Sequence, residues 1–213
     1  MSSDVLVTTP AQRQTEPHAE AVSRNRRQQA TFRKVLAAAM ATLREKSYAD
    51  LTVRLVAARA QGAPATAYTY FSSKNHLIAE VYLDLVRQVP CVTDVNVPMP
   101  IRVTSSLRHL ALVVADEPEI GAACTAALLD GGADPAVRAV RDRIGAEIHR
   151  RITSAIGPGA DPGTVFALEM AFFGALVQAG SGTFTYHEIA DRLGYVVGLI
   201  LAGANEPSTG GSE

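Results

Sequence analysis

The 213-residue sequence predicts an all-α fold. Apolar residues recur at steps of three and four through most of the chain, which is the pattern of one face of a helix. No segment shows the two-residue alternation of a half-buried strand, and no internal repeat is present. With 47% hydrophobic residues, the chain is long enough to form a sizeable core in one or two domains.

The N-terminal third contains three predicted helices after a polar start. Residues 1–23 mix polar, charged and proline residues without periodicity, which predicts a disordered arm. A helical pattern covers residues 26–44. Thr52 is a suitable N-cap for a short second helix. Pro64 suits the first position of a third short helix, ending near Phe71, because its missing N–H would have no partner there.

The remainder of the chain continues the helical pattern. It is interrupted by a proline-containing connector at 90–100 and by a Gly/Pro-rich loop at 157–163. The predicted helices cover residues 74–86, 107–114, 120–129, 135–156, 164–179 and 186–204. The polar residues 206–213 predict a disordered tail, so the second helical domain spans residues 75–205.

Charge is distributed unevenly along the chain. The net charge is only −1, but residues 24–74 carry ten Lys/Arg and two acidic residues, which gives +8. Residues 75–213 carry nine Arg and sixteen acidic residues, which gives −7. This asymmetry indicates a polyanion-binding module joined to a part that does not bind polyanions. Chance segregation onto two solvated surfaces is the alternative.

Two short helices joined by a three-residue turn, within residues 24–74, form the arrangement of a helix-turn-helix domain. At 100° per residue, the inner face of the third helix holds Pro64, Ala67 and Phe71. The outer face carries small or hydrogen-bonding side chains, which suit contact with phosphates and base edges. These side chains are Ala65, Thr66, Thr69 and Tyr70, with Tyr68 at the border. The alternative is an ordinary helical hairpin with solvated threonines.

A specific resemblance lies in the runs LTVRLVAARA at 51–60 and PATAYTYFSSK at 64–74. They resemble the DNA-binding domain of the TetR family of transcriptional regulators over about residues 26–85. The signature is an apolar-Thr helix start, an Ala-rich middle and the pattern Thr-x-Tyr-x-Tyr-Phe-x-Ser-Lys. The resemblance implies a homodimeric, all-helical repressor that binds double-stranded operator DNA. It also implies that the second domain binds a small molecule.

The family pattern implies which residues contact DNA. Arg54 matches an exposed position of the second helix, and Lys74 matches a lysine that meets the DNA backbone. The third helix supplies phosphate contacts at Thr66, Tyr68 and Tyr70, and Thr69 matches a base-facing position. Helical geometry adds Ala65, which lies beside the groove-facing arc. The predicted DNA-binding residues are therefore Arg54, Ala65, Thr66, Tyr68, Thr69, Tyr70 and Lys74.

The turn at residues 61–63 departs from the family pattern. Gln61 stands where glycine is usual, which predicts a left-handed backbone at a residue with a Cβ. Gly62 replaces an apolar residue, which predicts a missing core side chain. Ala63 has no side-chain oxygen to cap the third helix. These changes motivate an alternative function, a helical dimeric adaptor or sensor with weakened DNA binding.

The last two helices predict a surface for self-association. Both are apolar over more than one face, so each lies centrally in its own domain or packs against a second copy. Central helices without a dimer role are the alternative. The predicted dimer contacts are Phe166, Met170, Ile189, Leu193, Val196, Val197 and Ile200.

The second domain also predicts a cavity for a small hydrophobic effector. An apolar wall with few charges favours such a ligand, although each side chain involved is also an ordinary core or surface residue. The candidate lining residues are Tyr82, Val86, Leu107, His109, Leu110, Val114, Cys124, Leu128, Met170 and Phe173.

Several other classes of protein are disfavoured. The chain has no GxSxG, Walker A, GxGxxG or HExxH motif, so it is predicted not to be an enzyme. Its five histidines are scattered, and we expect no metal and no cofactor. A nucleoid-type DNA binder would be basic throughout. Two cysteines, no signal peptide and apolar stretches too short to span a bilayer predict a cytoplasmic protein without a membrane partner.

Overall fold

The computed structural model describes residues 16–204, and every regular element in that range is helical, which confirms the predicted fold class. The helices follow one another along the chain as α1 (Glu16–Leu43), α2 (Val53–Arg59), α3 (Pro64–Tyr70), α4 (Lys74–Gln88), α5 (Met99–Ala111), α6 (Pro118–Asp130), α7 (Pro135–Ile156), α8 (Pro162–Gly180) and α9 (Tyr186–Ala204). Short 3₁₀ turns at Leu112–Val114 and Gly131–Ala133 follow α5 and α6.

Two helices begin earlier than the apolar pattern predicts. Helix α1 starts at Glu16 and so includes residues 16–23, which the sequence assigned to an arm. This stretch has no apolar stripe, and its one large apolar residue, Val22, is exposed. Helix α5 starts at Met99, because a proline in the first helical turn loses no backbone hydrogen bond. The rest of the arm and the predicted tail lie outside the described residues.

The start of α2 and the turn between α2 and α3 confirm two expectations and correct one. The Thr52 Oγ1 atom accepts the Leu55 N–H at 3.1 Å and caps α2. Gln61 has φ +53°, in the left-handed region. Gly62, however, lies on the surface, and a Cβ there would have only the Ala57 carbonyl oxygen nearby, at 3.7 Å. No core side chain is therefore missing, because the turn runs over the surface rather than through the core.

Helix α4 connects the N-terminal helices to the rest of the molecule. It packs on α1 near the helix-turn-helix and on α6 and α7 beyond it. The Ser73 hydroxyl, at the start of α4, donates to Asp134 at the start of α7 at 2.8 Å. At the other end, the Arg151 guanidinium donates to the carbonyls of Val86 and Val89 at 2.8 and 2.7 Å. Helices α4 and α7 therefore run in the same direction and are joined at both ends. Helices α5, α8 and α9 pack with α4, α6 and α7, and we call the interior of these six helices the second core.

Candidate DNA-binding surface and effector cavity

Helix α3 presents the faces that its sequence predicts. Ala67 and Phe71 are buried, and the Phe71 ring stacks on Phe32 of α1 with centroids 5.1 Å apart. Ala65, Thr66 and Thr69 are exposed, and the Thr69 hydroxyl donates to the Thr66 carbonyl at 2.6 Å. Tyr68 is 54% exposed. This face of α3 therefore remains free of contacts with the second core.

Tyr70 has a second role that the sequence did not show. Its ring packs edge-on against Phe32 at 6.1 Å and lies near Phe71 at 6.2 Å. Tyr70 is half-buried and so helps to hold α3 against α1. Its removal would disturb packing as well as any contact with DNA.

Lys74 is held in place at the first position of α4. Its ammonium donates to the Tyr48 carbonyl at 3.1 Å and lies 4.4 Å from the centroid of the Tyr48 ring. The Tyr48 hydroxyl donates in turn to Asn75. Burial, chiefly, raises the pKa of Tyr48 to about 12, so its ring stays neutral beside the ammonium. The Lys74 charge is thereby fixed beside the end of α3.

Ion pairs occupy some of the basic residues near the helix-turn-helix. Arg59 pairs with Glu45, with both N–O distances at 2.5 Å, and Arg44 pairs with Glu117 just before α6. Arg54 is exposed on α2 and has no acidic partner among residues 16–204. Its charge is available to a polyanion.

The second core contains an apolar cavity of about 360 Å³ between α4, α6, α7, α8 and α9. Four of the predicted residues line it, namely Tyr82, Cys124, Leu128 and Phe173. Sequence reasoning missed Thr125, Arg141 and Tyr186, which also line it. The lining combines residues from five helices, and helical periodicity carries no information on which helices meet.

Six predicted lining residues lie elsewhere. The four aliphatic side chains are buried in the core because α5 packs on α7 and α9 and the C-terminal end of α4 packs on α7; they are Val86, Leu107, Leu110 and Val114. His109 and Met170 are exposed.

The exposed apolar surface of α8 and α9 differs in part from the predicted dimer stripe. Ile189, Leu193 and Val197 are buried within the chain itself, and Val196 and Ile200 are half-buried. Two exposed large apolar side chains, Phe166 and Met170, belong to the predicted dimer contacts. Two others, Tyr195 and Leu199, are also exposed, and the sequence did not single them out. By length and composition, α8 is also the one described helix apolar enough for a membrane span.

Comparisons with known proteins agree with this geometry. The family model described as bacterial regulatory proteins of the tetR family matches residues 35–81. The chain is 99% identical over 213 residues to HTH-type transcriptional regulators of Mycobacterium tuberculosis and Mycobacterium bovis, and the alignments cover all of both chains.

Solved structures share the fold at low sequence identity. A TetR regulator from Rhodococcus sp. RHA1 has a TM-score of 0.69 at 20% identity, covering 83% of this chain and 98% of that chain. Thermus thermophilus FadR, in complex with lauroyl-CoA, has a TM-score of 0.60 at 17% identity, covering 85% and 99%. Bacillus subtilis FadR, in complex with stearoyl-CoA, has a TM-score of 0.55 at 13% identity, covering 81% and 98%. From the helix-turn-helix geometry and these matches, the chain belongs to the TetR family of transcriptional regulators.

Proposed function

We propose that this regulator is a homodimeric repressor that leaves its operator when a small apolar molecule fills the cavity. The observation that carries the proposal is the position of the cavity. Its lining includes α4 and α6, and these are also the helices of the second core that pack on α1. A ligand that shifts either helix therefore acts directly on the DNA-binding part.

Operator contact is assigned to the exposed face of α3 and its neighbours. In this assignment Thr69 and Ala65 face the base edges in the major groove. The phosphate contacts come from side chains around this centre, namely Arg54, Thr66, Tyr68, Tyr70 and Lys74. The fixed ammonium of Lys74 suits a point contact with a phosphate.

A second copy is assigned to the apolar surface of α8 and α9. Met170 and Tyr195 line one groove between α8 and α9 and are 49% and 71% exposed, and a monomeric soluble protein rarely leaves such side chains together in water. A twofold dimer would cover them and would place two copies of α3 on two half-sites. The role is that of a cytoplasmic, non-enzymatic regulator.

An apolar effector is supported by the cavity and by two relatives of the same fold. Both FadR structures are complexes with acyl-CoA molecules, so this architecture accepts an apolar chain. The cavity of about 360 Å³ lies at the lower end of small-molecule sites, which run from about 300 to 1,000 Å³. We assign it to a compact hydrophobic molecule.

The alternative function is a dimeric adaptor or sensor with weakened DNA binding. The left-handed Gln61 and the uncapped start of α3 at Ala63 favour it. Both features lower the stability of the turn that orients α3.

Footprinting on the region upstream of its own gene, at several salt concentrations, separates the two functions. A repressor protects a dyad-symmetric site, and protection disappears when methyl nonyl ketone, an apolar probe, is added. The Leu129→Trp variant narrows the cavity at an exposed lining residue and should keep protection in the presence of the probe. Val95→Trp, on an exposed connector residue, is the matched control and should behave as the wild type. Absence of any protected site, even at low salt, supports the adaptor.

A further inference from the structure

Two buried tyrosine hydroxyl groups line the cavity, and neither donates a hydrogen bond within the described residues. Tyr82 is 5% exposed, and its hydroxyl has no hydrogen-bond partner within residues 16–204. The hydroxyl of Tyr186 is also buried, and the neighbouring Thr125 hydroxyl donates to it, so the phenol proton of Tyr186 stays free. Buried polar groups are nearly always paired in native proteins, so the unpaired Tyr82 hydroxyl and the free Tyr186 proton in one cavity point to a missing ligand.

The cavity wall is shaped around Tyr186. A Cβ at Gly121 would lie 2.4 Å from the Tyr186 hydroxyl oxygen, so only glycine allows this ring to reach its position. Burial raises the pKa of Tyr186, and the neighbouring Thr125 hydroxyl opposes that rise. Burial also raises the pKa of Tyr82, with smaller contributions from Cys124 and Tyr186. Both phenols are therefore neutral at physiological pH and carry a proton that can be donated.

The cavity has no positive charge in its buried part. Arg141 is the one charged residue of the lining, and it lies exposed at the rim, where its guanidinium donates to the Leu128 carbonyl at 2.6 Å. A carboxylate at the tyrosines would lose its hydration without gaining a cation, which is costly. An uncharged acceptor loses much less hydration free energy on burial and gains two hydrogen-bond donors.

We propose that the effector carries one uncharged oxygen acceptor, such as a ketone or ester carbonyl, which accepts hydrogen bonds from Tyr82 and Tyr186, and that the rest of it is apolar. This inference rests on the proposed effector function and narrows its ligand class. An acyl chain that enters by its hydrocarbon end would leave both hydroxyl protons without an acceptor. Since a cavity of about 150 Å³ admits benzene, about 360 Å³ has room for about a dozen non-hydrogen atoms.

The test compares two probes of nearly identical shape. One is methyl nonyl ketone, and the other is the hydrocarbon in which a methylidene group replaces its carbonyl oxygen. Calorimetric titration of the full chain should show the ketone binding about five- to tenfold more tightly, as expected for hydrogen bonds from neutral donors. In Tyr82→Phe the two probes should bind within about twofold of each other. The matched control, Tyr195→Phe on the exposed face of α9, should keep the wild-type preference.

Thermal unfolding without ligand excludes a trivial loss of structure. Because the Tyr82 hydroxyl is unpaired, Tyr82→Phe removes a desolvated polar group and should not lower the melting temperature. Tyr186→Phe provides a second reading of the same preference.

The outcomes separate this inference from the proposed function. The inference is overturned if wild type binds both probes equally, or if both Tyr→Phe variants retain the full preference for the ketone. If both probes bind equally and still release the operator, the effector function stands without the carbonyl. If neither probe binds, both proposals for this cavity fail.

Discussion

Gln61 carries backbone strain at the centre of the DNA-binding part. It is the one non-glycine residue with a positive φ among the residues described, and its N–H closes the end of α2 by donating to Ala58 at 2.9 Å. A side chain with a Cβ in this conformation costs about 1–2 kcal/mol relative to glycine. The TetR pattern places glycine at this position, so the chain departs from it at a cost in stability.

The variant Gln61→Gly should therefore raise the free energy of unfolding by about 0.5–1 kcal/mol, after the larger backbone entropy of glycine is subtracted. Denaturant titration measures it. Ala63→Gly, two residues later at φ −71°, is the matched control and should lower stability instead. A lower stability in Gln61→Gly would mean that the glutamine side chain makes a contact that outweighs the strain.

A variant of Lys74 tests whether this residue contacts phosphates rather than base edges. Lys74→Ala should weaken binding to the operator and to a scrambled duplex alike, and should lower the salt slope by about one per subunit, because it removes one phosphate contact. Arg138→Ala removes an equal charge from an exposed site on α7 and should leave the slope unchanged. A change in operator preference with an unchanged salt slope would contradict the placement of α3.

Thr69 should behave in the opposite way. Its side chain is exposed near the C-terminal end of α3, on the face assigned to the groove. Thr69→Asn should change which bases are preferred at one operator position, with each mismatch worth about 1–3 kcal/mol. Binding titrations against operators that vary at single positions measure this effect. A uniform loss across all sequences would assign Thr69 to phosphate contact.

At the scale of helices, α4 is fixed to α7 by an ion pair at a buried carboxylate. Glu80 on α4 pairs with Arg143 on α7 and lies 3.6 Å from the His76 ring nitrogen. Burial acts to raise the pKa of Glu80, but hydrogen bonds from His76 and Arg143 outweigh burial and lower it. A carboxylate with a lowered folded pKa stabilises the fold above its unfolded pKa, which is about 4.3, and loses that effect as pH falls through the folded value.

Glu80→Gln should consequently destabilise the protein at neutral pH by about 1–2 kcal/mol. This is less than the loss of a fully buried ion pair would cost, because the Arg143 side chain is partly solvated. The difference from wild type should shrink as pH is lowered below about 4.3. Denaturant titrations between neutral and acid pH measure both quantities. Asp142→Asn, at an exposed residue of α7, should change neither the stability at neutral pH nor its dependence on pH. A constant difference at every pH would show that the Glu80 charge is irrelevant.

The exposed apolar surface of α8 and α9, which we assign to dimer formation, can be tested by placing a charge on it. A charge at Leu199, which is exposed on α9, would have to be desolvated on pairing, so Leu199→Glu should convert a micromolar dimer into monomer. Operator affinity should fall at least tenfold, because the second half-site is no longer linked to the first. Sedimentation velocity and binding titration measure these effects, with Val95→Glu, at an exposed residue away from α8 and α9, as the control. A wild-type protein that sediments as a monomer would contradict the assigned surface.

At the scale of the whole molecule, an ion pair connects the DNA-binding part to the cavity. Arg44, just after α1, donates to Glu117, just before α6, with one N–O distance of 2.7 Å. This hydrogen bond is the main reason why the pKa of Glu117 is lowered. Helix α6 then carries Gly121, Cys124 and Leu128 into the cavity lining. A ligand that moves α6 therefore pulls on the end of α1.

Glu117→Gln should weaken this coupling. Operator affinity without ligand should change little, while the affinity change caused by methyl nonyl ketone should fall by about two- to fivefold, the range expected for an exposed ion pair. Operator titrations with and without the ketone measure it. Glu119→Gln, in the first turn of α6, is the matched control. Equal ligand effects in both variants and wild type would exclude the ion pair from the coupling.

Local sequence was sufficient for the two short helices α2 and α3 of the DNA-binding part. The cap at Thr52, the proline start of α3 at Pro64 and the left-handed backbone at Gln61 each depend on the residue and its nearest neighbours. The outward face of α3 follows from periodicity alone. The same reasoning predicted that a core side chain is missing at Gly62. That prediction required knowing where the turn lies relative to the core, and the structure corrects it.

The cavity and the exposed apolar surface of α8 and α9 were decided by tertiary packing. Periodicity identified Ile189 and Leu193 as apolar and on one face of α9, but their burial against α5 and α8 depends on how those helices cross. Likewise, Leu107 and Tyr82 both belong to the apolar stripe of their own helix and both are buried, yet only Tyr82 lines the cavity. Helix formation is set by interactions a few residues apart, so the sequence alone determined it. Which apolar faces meet is a long-range choice among similar surfaces, and only the folded chain resolves it.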